Sequence, residues 1–192
     1  MDYVNEAHPD YIGFVFAPSR REIAAAEAKR LRKRVAADIR VVGVFVNEQP
    51  QRILDLLQAG IIDIAQLHGQ EDATYVEHLK KKSGCGIIKA MRPDREADMG
   101  SYRTYEAAGV DYFLFDSGSH LQPGGTGRTF DWSLIPQVSH PWFLAGGLNA
   151  DNVEAAVKSQ RPYAVDISSG VETEGYKDRE KILEIVRRIR NV

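Results

Sequence analysis

The sequence predicts an α/β protein built on a parallel sheet. Three observations carry that expectation. Short β-rich apolar runs recur at fairly even spacing along the chain. Most are continuously apolar rather than alternating, the pattern of strands covered on both faces. Helical patterns separate them, and a strand–helix–strand repeat makes a parallel sheet. Seven such runs in 192 residues leave two architectures in competition, an open doubly wound sheet and a closed (β/α)8 barrel that is one strand short.

The runs, in order, are "YIGFVF" (11–16), "VVGVFV" (41–46), "DIAQLH" (63–68), "GIIKAM" (86–91), "YFLFD" (112–116), "WFLAGG" (142–147) and "YAVDISS" (163–169). Helices are predicted over 23–35, 51–59, 72–82, 96–108, 150–158 and 179–190, where apolar residues recur at helical spacing. The last has Ile182, Ile185, Val186 and Ile189 on one stripe, with basic residues near its C-terminus, where the helix dipole favours them. Gly60, Gly84, Gly109 and Asn149 mark joints. The opening "MDYVNEA" reads as the end of a helix with no strand before it, so strand 1 and part of helix 1 are expected to be missing from the chain. Residues 1–192 are expected to form one truncated domain, with no linker or low-complexity stretch.

Composition narrows the function classes. Apolar residues make up 43% of the chain, enough for a substantial core, and charged residues nearly cancel to a net −2. That balance gives no electrostatic case for nucleic acid or an anionic membrane surface. No apolar run approaches the roughly 18 residues of a membrane helix. No basic-then-apolar leader opens the sequence, and the single cysteine, Cys85, cannot form an internal disulfide. A cytoplasmic location is the expectation. No His, Cys and Asp cluster has metal-ligand spacing, and no dinucleotide or P-loop fingerprint is present, so neither metal nor cofactor is expected.

In a (β/α)8 barrel the active site lies at the C-terminal ends of the strands, and a phosphate commonly binds at the loops after the last two. "AGGLNADNV" bares the backbone at Gly146 and Gly147, and Asn149 can cap the following helix. "DISSGVE" offers the hydroxyls and amides of Ser168, Ser169 and Gly170. Either stretch alone reads equally well as an ordinary turn; together, at those two positions, they point to phosphate. Asp116 ends an apolar run, where partial desolvation would suit a general acid, although an aspartate there can also just cap a turn. The loop carrying Gly124, Gly125 and Gly127 reads as a cradle over substrate or as a plain surface loop. In "FAPSRREI", Arg20 and Arg21 stand just before a helix, where the dipole disfavours cations, so at least one is expected to hold a planar carboxylate instead. His68 ends a strand and is read as lining the site, while Cys85 precedes its strand and is read as structural.

Taken together, "YIGFVFAPSRR", "VVGVFVN", "AQLHGQE", "LFDS…GGTGRTFDW", "FLAGGLNADNV" and "DISSGVE" resemble the phosphoribosylanthranilate isomerase family of tryptophan biosynthesis, over the whole chain and in order. The resemblance implies a small (β/α)8 barrel and a cofactor-free Amadori rearrangement of an aminoaldose to a 1-deoxyribulose-5-phosphate ketoamine. It implies Asp116 as general acid and Arg21 as the holder of the anthranilate carboxylate. His68 lines the site, Asp166 lies near the sugar, and Gly146, Gly147, Ser168 and Ser169 bind phosphate. The family's general base is a cysteine on the first strand, which this sequence does not contain, so impaired turnover is expected. The partner is a small phosphosugar, with homo-oligomerisation through exposed strand edges as a further expectation. Rival readings are a catalytically dead phosphosugar-binding or assembly subunit, an indole-glycerol-phosphate synthase, for which Lys89 would be the lysine, and a ribulose-phosphate epimerase.

Overall fold

The computed structural model describes residues 1–93, 96–116 and 131–192, with backbone alone over 96–99. The glycine-rich stretch with Gly124, Gly125 and Gly127 lies outside the described residues. Those described divide into two compact units, Met1–Ala90 with Ser101–Tyr112, and Met91–Gly100 with Phe113–Val192.

The first unit alternates strand and helix: α1 (Asp2–Ala7), β1 (Tyr11–Val15), α2 (Ala25–Arg32), β2 (Arg40–Phe45), α3 (Pro50–Gln58), β3 (Ile64–Leu67), α4 (Ala73–Ser83) and β4 (Gly86–Met91); α5 (Glu96–Ala107) follows and is divided between the two units. The strands lie in the order β1-β2-β3-β4, each parallel to the next. Ile53, Ile64, Leu67, Leu79, Ile87 and Ile88 are fully buried, which is why the strands read as continuous apolar runs. Pro50 begins α3, where its missing N–H costs no hydrogen bond. Gly84 ends α4 in the left-handed conformation at φ 61°, which glycine adopts without a Cβ penalty.

Two aspartates clamp the N-terminal strand ends by the same device. Asp63, just before β3, accepts the Val41 N–H of β2 at 2.7 Å and pairs with Arg32. Asp111 accepts the Ile87 N–H of β4 at 2.8 Å and the Lys80 ammonium at 2.6 Å. Each supplies an acceptor where the ladder begins and an opposite charge for the carboxylate.

The second unit holds β5 (Tyr112–Phe115), β6 (Trp142–Leu144), α6 (Val153–Gln160), β7 (Ala164–Val165), the antiparallel hairpin β8 (Glu172–Thr173) and β9 (Tyr176–Lys177), and α7 (Arg179–Arg190). Strands β5, β6 and β7 are parallel neighbours in that order. The stripe on α7 packs as its spacing predicts: Ile185 joins Val153 and Val171 in a buried cluster, against which Ile182, Val186 and Ile189 lie. Asp178 caps this helix by accepting the N–H groups of Glu180 and Lys181.

Several boundaries differ from the sequence expectation, each for a local reason. The run at 142–147 stops being a strand after Leu144, because Gly146 (φ 89°) and Gly147 (φ 68°) are left-handed. The run at 163–169 keeps only Ala164 and Val165 in the ladder before the chain turns into a 3₁₀ segment at Ser169–Val171. The helix expected over 23–35 is Ala25–Arg32, since Ile23 gives its N–H back to the Val15 carbonyl of β1. No sequence signal marks the hairpin β8–β9: Glu174 (φ 52°) and Gly175 (φ 86°) form its turn, in place of the Asn-Gly or Asp-Gly pair that flags such turns. Among the described residues, no helix is long and apolar enough to cross a membrane.

Candidate active site

The residues singled out from the sequence fall at the C-terminal ends of strands, some in each unit. In the first unit, Phe16 and Phe45 follow or end β1 and β2 and stack with ring centroids 5.1 Å apart. Arg21 lies beyond them, half-buried, in a turn that folds back on β1. Ser19 Oγ accepts the Arg21 N–H at 3.2 Å, and Glu22 bridges back to Val15. Helix α2 does not begin until Ala25. This corrects the dipole argument: Arg20 and Arg21 precede the first helical turn, so the dipole puts no penalty on them. Their position is set by the turn.

His68 follows β3, giving its N–H to the Phe45 carbonyl at 2.8 Å, and its Nδ1 lies 3.0 Å from the Nε2 of buried Gln66. Behind His68 lies a buried ionic knot. Glu71 and Lys89 are only 4% and 3% exposed, and their charges meet at 2.9 Å. Glu71 also accepts the N–H groups of Asn47 at 2.6 Å and Gly69 at 2.9 Å. Lys89 donates to the Gly69 carbonyl at 2.8 Å, and its Nζ stands 5.6 Å from the Tyr105 ring centroid. Asn47, left-handed at φ 51°, accepts the Gln70 N–H at 2.7 Å. One knot thus ties the loop after β2 to the loop after β3 and fixes the backbone on which His68 stands.

In the sequence Lys89 reads only as a candidate synthase lysine. Buried among a carboxylate, two carbonyls and a ring, it is a structural cation instead. The available signal was two opposite charges, in "IIKAM" and "HGQE", set in otherwise apolar surroundings, since buried charges come in pairs.

In the second unit, Asp116, Gly146 and Asp166 stand at adjacent strand ends. Asp116 N–H reaches the Met91 carbonyl at 3.2 Å, Ala145 N–H the Phe115 carbonyl at 2.8 Å, and Asp166 N–H the Leu144 carbonyl at 2.8 Å. Asp116 is half-buried; Asp166 is exposed. The turn at Gly146 and Gly147 runs into Asn149, whose Oδ1 accepts the Asp151 N–H at 2.8 Å and whose carbonyl accepts the Val153 N–H at 3.0 Å. Asn149 thereby caps the turn that leads into α6. Ser168 is exposed and Ser169 half-buried, in the turn after β7.

The two turns touch. A Cβ on Gly170 would lie 2.0 Å from the Leu148 carbonyl oxygen and 3.0 Å from Asn149 Cα, so only glycine lets them come this close. Among the described residues, no acceptor takes the N–H groups of Gly146, Gly147, Ser169 or Gly170. Amides clustered in this way, beside a helix start, form a surface suited to an anion.

Cys85 lies immediately before β4, half-buried, with its Sγ 3.1 Å from Ser83 Oγ. Burial pushes its thiol above the ordinary range, with the Ser83 hydrogen bond acting in the opposite sense. It is at the strand end opposite to His68. Among the described residues, no group of three or more His, Cys, Asp or Glu could hold a metal ion.

Parallel strands with carboxyl and histidine groups at their C-terminal ends, and paired amide turns after β6 and β7, are the features of an α/β enzyme acting on a phosphorylated small molecule. A family profile described as N-(5'-phosphoribosyl)anthranilate (PRA) isomerase matches residues 2–188. The chain belongs to that family, the isomerases that act on N-(5'-phosphoribosyl)anthranilate in tryptophan biosynthesis. The N-(5'-phosphoribosyl)anthranilate isomerase of Endomicrobium trichonymphae is 44% identical over 193 residues, covering 100% of this chain and 93% of the relative. That of Thermoanaerobacter pseudethanolicus is 40% identical over 194 residues, with the same coverage of 100% and 93%. The crystal structure of the Thermotoga maritima isomerase superposes with a TM-score of 0.86 at 35% identity, covering 99% of this chain and 92% of that one. A second isomerase structure, solved with reduced 1-(o-carboxyphenylamino)-1-deoxyribulose 5-phosphate, gives a TM-score of 0.80 at 32% identity, covering 99% and 92%.

Proposed function

We propose that the family reaction, an Amadori rearrangement without cofactor, is divided among this chain's residues as follows. The amides of Gly146 and Gly147, with Ser168 and Ser169, bind the 5'-phosphate. Asp116 protonates the furanose ring oxygen and opens the ring to a Schiff base, the substrate nitrogen serving as electron sink. Arg21 holds the anthranilate carboxylate in a two-point hydrogen bond. His68 lines the site and Asp166 approaches the sugar hydroxyls. The observation that carries this reading is the docking of the two amide turns through Gly170, next to the strand that ends in Asp116. The ligand of the related complex bears both an aryl carboxylate and a phosphate, the two groups that Arg21 and the turns are suited to hold.

Removal of the C2' proton requires a base. Cys85 does not fill that role: it stands at the N-terminal end of β4 with its thiol held protonated by burial. The test is titration with the reduced ribulose-phosphate product analogue, alongside steady-state isomerisation. Micromolar binding competed by inorganic phosphate, weakened in Arg21→Ala, and an isomerisation rate cut about 10²–10⁴-fold in Asp116→Asn are the expected results. An Asp116→Asn variant as fast as its parent would overturn the assignment. Binding with no turnover at all would favour the phosphosugar-binding reading over the enzyme.

A further inference from the structure

The hairpin β8–β9 buries little apolar surface: Tyr176 is 81% exposed. What it does is return Lys177 to the turn after β7. The Lys177 ammonium donates to the Ser168 carbonyl at 2.7 Å and pairs with Glu172 at 3.1 Å, whose side chain is 5% exposed. Lys181 holds the Glu172 carbonyl at 2.8 Å, and Asp178 accepts the Thr173 hydroxyl at 2.6 Å and gives its own N–H to Val171 at 2.9 Å. The base of the hairpin is therefore stapled to the 3₁₀ segment and to the start of α7.

We propose that Lys177 is a positioning residue for the anion-binding turn, acting through the Ser168–Ser169 peptide; this rests on the phosphate reading above. A trans peptide is planar, so its C=O and N–H point in opposite directions. Anchoring the Ser168 carbonyl on Lys177 directs the Ser169 N–H away from the ammonium, and no described residue accepts it. On its other flank the turn rests on the Leu148 carbonyl through Gly170. The turn is held from both sides with its amides free for a ligand. A cation on the carbonyl oxygen also polarises the amide and strengthens the N–H as a donor.

The experiment measures inorganic phosphate binding to the full 192-residue chain by calorimetry at fixed low ionic strength, with thermal melts in the absence of phosphate. Lys177→Met is expected to weaken phosphate about tenfold, or about 1.4 kcal/mol. Lys177→Arg, which keeps a donor and the charge, should restore binding to within about threefold of the parent, under 1 kcal/mol. Lys158→Met removes an exposed charge of α6, paired with Glu154 and outside the staple, and should bind phosphate like the parent. The proposal is wrong if Lys177→Met lowers the melting temperature but leaves phosphate affinity unchanged, or if Lys158→Met weakens binding as much. Gly170→Ala, which forces the turns apart, separates the two layers of the argument. Loss of phosphate in Gly170→Ala with none in Lys177→Met sinks this inference alone. A parent chain that binds no phosphate sinks the phosphate reading with it.

Discussion

Replacing Lys89 with Met should destabilise the chain severely, and the structure says by how much. The methionine fills most of the volume, so packing changes little. What is lost is the ammonium hydrogen-bonded to a carboxylate that is 4% exposed. Removing one partner of a buried ion pair costs about 3–5 kcal/mol, because the other charge stays behind without compensation. Here Glu71 keeps two backbone donors, from Asn47 and Gly69, which places the loss near the lower end, about 3 kcal/mol. For a chain of this length that corresponds to a fall in melting temperature of about 6–12 °C. The assay is reversible thermal or urea unfolding of the parent, Lys89→Met, Glu71→Gln and the double variant. Because Glu71→Gln removes the stranded charge, Lys89→Met should cost less in that background than in the parent, giving a coupling of about 1–3 kcal/mol. A Lys89→Met loss below about 1 kcal/mol, the range of exposed pairs, would refute the claim that this pair is buried and tightly held. So would zero coupling in the cycle.

Three further outcomes follow from local geometry. Gly69→Ala places a methyl 2.5 Å from Asn47 Oδ1, so the Asn47 bond to the Gln70 N–H should break at a cost of about 1–3 kcal/mol; an unchanged unfolding midpoint would contradict the packing. Tyr75 is pushed up to about 12, chiefly by burial and then by the charges of Glu71 and Glu48. A raised phenol favours the folded state below the ordinary tyrosine range, so that contribution should fade as pH rises from about 10 towards 12. Phenolate absorbance should show a late-titrating tyrosine that disappears in Tyr75→Phe, and its persistence in that variant would assign the shift elsewhere. The Cys85 thiol, raised by burial, should react with an aromatic disulfide far more slowly in the native chain than in denaturant at neutral pH, and Cys85→Ser should leave turnover where it was. Loss of turnover in Cys85→Ser would make it a catalytic group and contradict its structural role.

Strand–helix alternation and the ends of individual elements were legible to different degrees, and the reason is local. The apolar runs reflect burial on both faces, a property that each run carries by itself, so β4 at Gly86–Met91 and α7 at Arg179–Arg190 match their sequence patterns residue for residue. Asp116, Gly146, Gly147, Ser168 and Ser169 were legible as strand-end residues because their neighbours are apolar runs that stop there. Where a strand yields to a left-handed glycine, or a turn folds back on the strand before it as at Arg21, the periodic signal is silent, since apolar side chains continue past the last ladder bond.

The sequence alone determined the α/β class, the family and the candidate chemistry, because each of those is written in short contiguous stretches whose burial and turn preferences act over a few residues. Only the tertiary structure decided which distant groups meet. Glu71 finds Lys89 eighteen positions away across two strand ends, Lys177 returns to Ser168 through a hairpin, and Gly170 leaves room for the Leu148 carbonyl. Those contacts depend on ångström-scale backbone placement, and the placement comes from how parallel strands and their loops pack, which no single stretch of residues encodes.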